Sequence, residues 1–106
     1  MTRGDLVTIA VSGDYGKPRP ALVIQADAFD QHPSVTVLPL TSELHPTPLF
    51  RVTVAAGDAT GLHTTSQIMV DKAIAVPRVK LGSKIGQVDP ETMAMVSEAL
   101  RGFLGL

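Results

Sequence analysis

The chain has 106 residues, 44% of them hydrophobic, and a formal net charge of −1, which suffices for one domain over residues 1–106 with a modest core and leaves no room for a second. It has no cysteine, excluding disulfides, thiolate metal sites and a cysteine nucleophile and fitting a reducing cytoplasm. No stretch approaches the ~18 apolar residues of a membrane span and no apolar leader opens the chain, so we expect a cytoplasmic protein with no membrane partner.

In chain order, Leu6-Val7-Thr8-Ile9-Ala10-Val11 reads as a first strand from its β-branched and apolar residues. Ser12 to Gly16 carries turn chemistry, and Ala21 to Gln25 resumes the strand. Val35 to Leu40 is a third strand in which Pro39 predicts an edge or a bulge. After an irregular loop from Thr41 to Pro48, Phe50 to Val54 alternates sides with a period of two. Thr64 to Val70 leads into Asp71, and Lys72 to Val76 is a further β-like run. Asp89-Pro90-Glu91 marks a helix start, with Asp89 as N-cap and Pro90 at the first helical position. Met93, Val96, Leu100, Phe103 and Leu104 then recur at helical spacing and predict one face packed on the sheet. The expected fold is mainly β with a carboxy-terminal helix, a small, strongly curved sheet or partial barrel. Phe29, Phe50 and Phe103 adjoin apolar runs and are expected in the core.

One local pattern points to chemistry. Arg19 stands between Pro18 and Pro20, next to the apolar run Ala21 to Ile24. Proline fixes its own φ and pushes the preceding residue to an extended conformation, so Arg19 is held stiffly at the mouth of a strand, suited to gripping a phosphate. With a net charge near zero, any nucleic-acid surface must be gathered locally, from Lys17, Arg19, Arg78, Lys80 and Lys84. The three histidines, His32, His45 and His63, have no spacing suited to a zinc site; we expect no metal and no cofactor. Nucleotide-binding glycine motifs and the Gly-x-Ser-x-Gly elbow are absent. The Arg3-Gly4-Asp5 triplet invites an adhesion reading, but more simply opens the first strand.

Taken in order, Arg3-Gly4-Asp5-Leu6-Val7, Gly16 to Ile24, Val37-Leu38-Pro39-Leu40-Thr41-Ser42, Gly61-Leu62 with Ser66 and Asp71, and Arg78 to Gly82 resemble the MazF/PemK/Kid family of toxin endoribonucleases over essentially the whole chain. The resemblance implies an SH3-like barrel of the MazF/CcdB type and a homodimer. It also implies metal-independent, sequence-selective cleavage of single-stranded RNA and neutralisation by a cognate antitoxin.

Metal-free cleavage needs a base for the ribose 2′-hydroxyl, an acid for the leaving 5′-oxygen, and positive charge on the phosphoryl oxygens. Arginine suits the last task, with planar donors that stay charged. By resemblance, Arg19 stabilises the phosphorane and shares in proton transfer, and Thr41 offers its hydroxyl to the same phosphate; the bland alternatives are a salt bridge and a turn-forming hydroxyl. Asp71 matches a position that some members use as general base. Those members carry an arginine two residues earlier, where this chain has Met69. Asp71 is therefore either a base or a structural residue paired with Arg19 or Lys72. RNA contacts are expected from Tyr15, Lys17, Ser42, His63, Lys72, Arg78 and Lys80, with Tyr15 stacking on a base or packing on the barrel.

Two other classes remain open. A gyrase poison of the CcdB type resembles its relatives in a carboxy-terminal tryptophan-glycine-isoleucine, whereas this chain ends Leu104-Gly105-Leu106 and has no tryptophan. A catalytically inactive relative that only binds an antitoxin is the other. A docking module for proline-rich ligands would need an aromatic groove that 4% aromatic content hardly supplies.

Overall fold

The computed structural model describes residues 1–10 and 17–106. Among the described residues, seven strands and one α-helix follow in the order β1 (Asp5–Ala10), β2 (Pro18–Val23), β3 (Ser34–Thr41), β4 (Arg51–Val54), β5 (Ser66–Met69), β6 (Ile74–Pro77), β7 (Lys84–Gln87) and α1 (Pro90–Leu104). The strands form one antiparallel sheet in the order β4-β5-β3-β2-β1-β7, with β6 added to β3. The sheet curls until its ends meet. The β4–β5 connection touches β7, where the Gln87 N–H donates to the Ala59 carbonyl at 3.0 Å.

Alternation along the strands gives the sheet two apolar faces. Leu6, Leu22, Leu38, Leu40, Val52 and Ile68 face α1, whose Val96 is fully buried against them, a burial that stabilises by about 1.5–3 kcal/mol. Val7, Ile9, Ala21, Val23, Val35 and Val37 form the opposite face, covered in part by Val76 and Leu81. The helix starts as expected: the Asp89 carboxylate accepts from the Thr92 N–H at 2.7 Å, with Pro90 in the first turn. It ends at Gly105, whose left-handed φ of 72° lets its N–H bond the Arg101 carbonyl.

Several expectations needed correction. β2 begins at Pro18, so Arg19 lies inside the strand rather than before it. The prolines are tolerated because pairing of β2 with β3 starts only at Ala21. Pro39 is buried in a central strand, neither on an edge nor in a bulge. It sits where β3 exchanges one partner for another, β6 pairing through Val37 and β5 pairing from Leu40, so its missing N–H costs no ladder bond on that side. Strand β7 went unforeseen, since Lys84-Ile85-Gly86-Gln87 holds one apolar side chain and no alternation. Phe29 is 59% exposed and Phe103 52% exposed; the last turn of α1 overhangs, and Phe103 rests on Phe50 with ring centroids 6.4 Å apart. Only Phe50 of the three packs against the core.

The Arg3-Gly4-Asp5 triplet is structural. Asp5 is 4% exposed, accepts from the Thr2 N–H at 2.9 Å, and pairs with Lys84 on β7 at 3.2 Å. Arg3 ties the amino terminus to α1 through the Ser97 hydroxyl at 2.9 Å.

Candidate functional site

The site forms where β2 leaves and β3 ends. Ala21 is the β-partner of Pro39, and extending that antiparallel register by two residues sets Arg19 across from Thr41. Both side chains line two cavities, one of about 320 Å³ and one of about 360 Å³. Arg19 is exposed and Thr41 half-buried. The Thr41 hydroxyl accepts from the Glu43 N–H at 3.1 Å, the local turn bond anticipated for it. Accepting there leaves the O–H as a donor pointed elsewhere, so the turn reading and the phosphate reading are compatible.

The remaining predicted residues fall into three groups. Ser42 and His63 line the first cavity and Lys72 the second, each together with Arg19 and Thr41. Lys17 is exposed just ahead of β2. Tyr15 lies outside the described residues. Arg78 is held elsewhere: its guanidinium donates to the His32 and Phe29 carbonyls at 2.9 and 3.4 Å, and its neighbour Pro77 pairs with Ser34, at the far end of β3 from Thr41. Lys80 is exposed in the same single turn, Arg78–Lys80. Neither lines a cavity with Arg19.

Asp71 pairs neither with Arg19 nor with Lys72 in the bonds the structure shows for it. Its Oδ1 accepts from Arg51 Nε at 3.2 Å, with the two side chains 19% and 12% exposed. Arg51 is the cross-strand partner of Met69, so the arginine that the resemblance expects at 69 stands one strand over and still reaches the aspartate. Lys72 follows Asp71 in the single turn Val70–Lys72, and the ion pair thus steadies the turn that brings Lys72 into the second cavity.

Sequence reasoning passed over Gln67. It is 6% exposed and clamps the β3–β4 loop at His45, its Oε1 accepting from the backbone N–H at 2.9 Å and its Nε2 donating to the carbonyl at 2.8 Å. A glutamine amid the β-like run Ser66 to Met69 was the available signal. Thr64, Met69 and Ile74 also line the cavities. Among the described residues, no three histidine or carboxylate side chains converge as a metal-binding group.

The fold is thus a curled antiparallel sheet with one carboxy-terminal helix, and it sets an arginine and a hydroxyl at the junction of two concavities. The sequence matches, over residues 2–104, the family described as PemK-like, MazF-like toxin of type II toxin-antitoxin system. The chain belongs to that family. It is 45% identical over 107 residues to a protein named probable endoribonuclease MazF of Mycolicibacterium smegmatis, covering 100% of this chain and 98% of the relative. Its fold is similar to that of a mycobacterial endoribonuclease in complex with its cognate antitoxin, with a TM-score of 0.82, 26% identity, and coverage of 100% of this chain and 96% of that one. The Mycobacterium tuberculosis toxin MazF-mt6 is similar at a TM-score of 0.79 and 25% identity, over 95% of this chain and 97% of that one. No helix among the described residues is long and apolar enough to cross a membrane.

Proposed function

We propose that this endoribonuclease toxin cuts single-stranded RNA at the Arg19–Thr41 junction without a metal. The 2′-hydroxyl oxygen attacks the adjacent phosphorus and gives up its proton. The bond from phosphorus to the 5′-oxygen breaks, and that oxygen takes a proton, leaving 2′,3′-cyclic phosphate and 5′-hydroxyl ends. Arg19 meets the charge on the non-bridging oxygens and Thr41 donates its O–H to the same group. The observation that carries this reading is the convergence of Arg19 and Thr41 on both cavities. Asp71, engaged with Arg51, is assigned a structural role.

The proposal includes a cytoplasmic setting, a cognate antitoxin and a homodimer. A relative's structure in complex with its cognate antitoxin supports the second. The third is supported by apolar side chains left in the open, with Leu49 83%, Met95 54% and Phe103 52% exposed around one cavity of about 670 Å³.

The test is incubation of the protein, beside Arg19→Ala, with a long single-stranded RNA in excess chelator, followed by mapping of the cut ends. Discrete cuts with cyclic phosphate ends, absent in the folded variant, are expected. No cutting by folded wild type would point to an antitoxin-binding relative without activity, and activity restored only by a divalent ion would overturn the metal-free chemistry.

A further inference from the structure

Three side chains stand in a row across the strands beside the site. Thr41, at the end of β3, is the cross-strand partner of Gln67 on β5, and Gln67 is in turn the partner of Thr53 on β4. The adjacent partners Leu40 and Ile68 are buried toward α1, so by alternation Thr41, Gln67 and Thr53 share the opposite face. Of the three, Gln67 is the one withdrawn from water, at 6% exposure.

The Gln67 amide meets the backbone of the β3–β4 loop as a neighbouring strand would. Its Oε1 accepts from the His45 N–H at 2.9 Å, its Nε2 donates to the His45 carbonyl at 2.8 Å, and the second amide hydrogen reaches the Thr53 hydroxyl at 3.3 Å. Both amide hydrogens are in use, and a turned-over amide would set nitrogen against N–H and oxygen against carbonyl. Beyond His45, the Thr47 N–H donates to the same carbonyl at 2.9 Å, and the Thr47 carbonyl accepts from the Arg51 N–H at 3.0 Å, where β4 begins. Before His45, only Ser42, Glu43 and Leu44 separate it from Thr41. All three are exposed, so their path is set by its two fixed ends. Within that span the Glu43 N–H reaches the Thr41 hydroxyl oxygen at 3.1 Å.

We propose that Gln67 is a positioning residue for RNA cleavage: by holding His45 it aims the Glu43 N–H at Thr41 and so fixes the direction in which the Thr41 hydroxyl donates. The assignment rests on the ribonuclease reading above. Gln67 lies beneath the loop and acts through Thr41, not on the RNA. Its loss therefore weakens the transition state, where a donor misplaced by about 1 Å can cost roughly a hundredfold, and spares the ground-state grip on phosphate, which belongs to Arg19.

The test compares wild type, Gln67→Met, Thr41→Ala and the double variant on an RNA segment that wild type cuts, in chelator, with fold checked by circular dichroism. Methionine keeps the length and approximate volume of glutamine and removes its hydrogen bonds. Gln67→Met should lower kcat by about tenfold to a hundredfold and leave KM within about twofold. In the Thr41→Ala background the same change should cost almost nothing further, because the donor it aims is already gone. Wild-type kcat in folded Gln67→Met, or an equal fall in both backgrounds, would overturn the assignment while leaving the nuclease standing. Should Gln67→Met fail to fold, Gln67→Glu carries the same comparison, since it still accepts from the His45 N–H and cannot donate to the carbonyl. Collapse of both variants would make Gln67 a residue of the fold alone and overturn the assignment too. Wild type that cuts no RNA would overturn the ribonuclease reading along with it.

Discussion

Arg51 and Asp71 form an ion pair, Nε to Oδ1 at 3.2 Å, between strand β4 and the turn that follows β5. Both side chains are largely withdrawn from water, at 12% and 19% exposure. Such a pair lies between the surface case and the fully buried one, so removing one partner costs about 1–3 kcal/mol. The aspartate that the family resemblance nominates as a base accepts from Arg51 in the turn Val70–Lys72, and the role proposed for it is to hold that turn. Asp71→Asn, which keeps the shape and can still accept from Arg51, should lower the unfolding free energy and leave cleavage within about tenfold of wild type, a smaller loss than general-base removal brings. Denaturant titration and single-turnover cleavage on the same preparation check this. A thousandfold loss of cleavage at unchanged stability would make Asp71 a catalytic base.

Thr41 offers a sharper contrast. Because its oxygen already accepts from the Glu43 N–H, its hydrogen is free for a phosphoryl oxygen. Thr41→Ala should slow cleavage on the order of tenfold to a thousandfold, the range for one lost donor in a transition state. Thr41→Ser should recover most of the rate. Equal rates for wild type and Thr41→Ala would confine the residue to its turn.

Much of this was legible in the chain. The Asp89-Pro90 pair marks its helix because a cap and a fixed φ are local properties, and β-branched runs mark β1 and β3 for the same reason. Arg19 stood out through its flanking prolines, whereas Thr41 was named by the resemblance alone. The Arg51–Asp71 pair did not, because it depends on the β4–β5 register that sets Arg51 against Met69, and no local pattern encodes a register. β7 escaped because its place is fixed by its partners, β1 on one side and the β4–β5 turn on the other, rather than by its own propensity. Phe29 and Phe103 misled because an aromatic next to an apolar run can still lie past the end of the sheet.

Asp5 makes stability depend on acid. Burial alone would raise its pKa, but the Thr2 N–H and the Lys84 ammonium together outweigh it and hold the carboxyl below its usual range. A carboxylate depressed in the folded state adds stability in full above its unfolded pKa, about 3.9, and loses it as pH falls through the lower folded value. Asp5→Asn, whose amide oxygen can still accept from the Thr2 N–H, should therefore cost about 1 kcal/mol at pH 7, the difference between a bond to a charged acceptor and one to a neutral acceptor. Lys84, which is 49% exposed and screened, adds little. The penalty should shrink as pH drops below about 4. Urea melts of both proteins at several pH values check it; a gap constant with pH would refute the linkage.

Gly61 connects the fold to the site. Its φ of 72° is left-handed, and a Cβ there would strike the Ile85 carbonyl on β7. Gly61→Ala must either strain that backbone, at about 1–3 kcal/mol, or lift the turn from β7 and shift His63 and Thr64. At Gly57, the start of the same turn, an added methyl group would meet no atom within 4 Å, so Gly57→Ala should stay within about 0.5 kcal/mol of wild type. Thermal melts of the two variants should separate clearly. Equal melts would show that the close approach of Gly61 to β7 does not fix the turn.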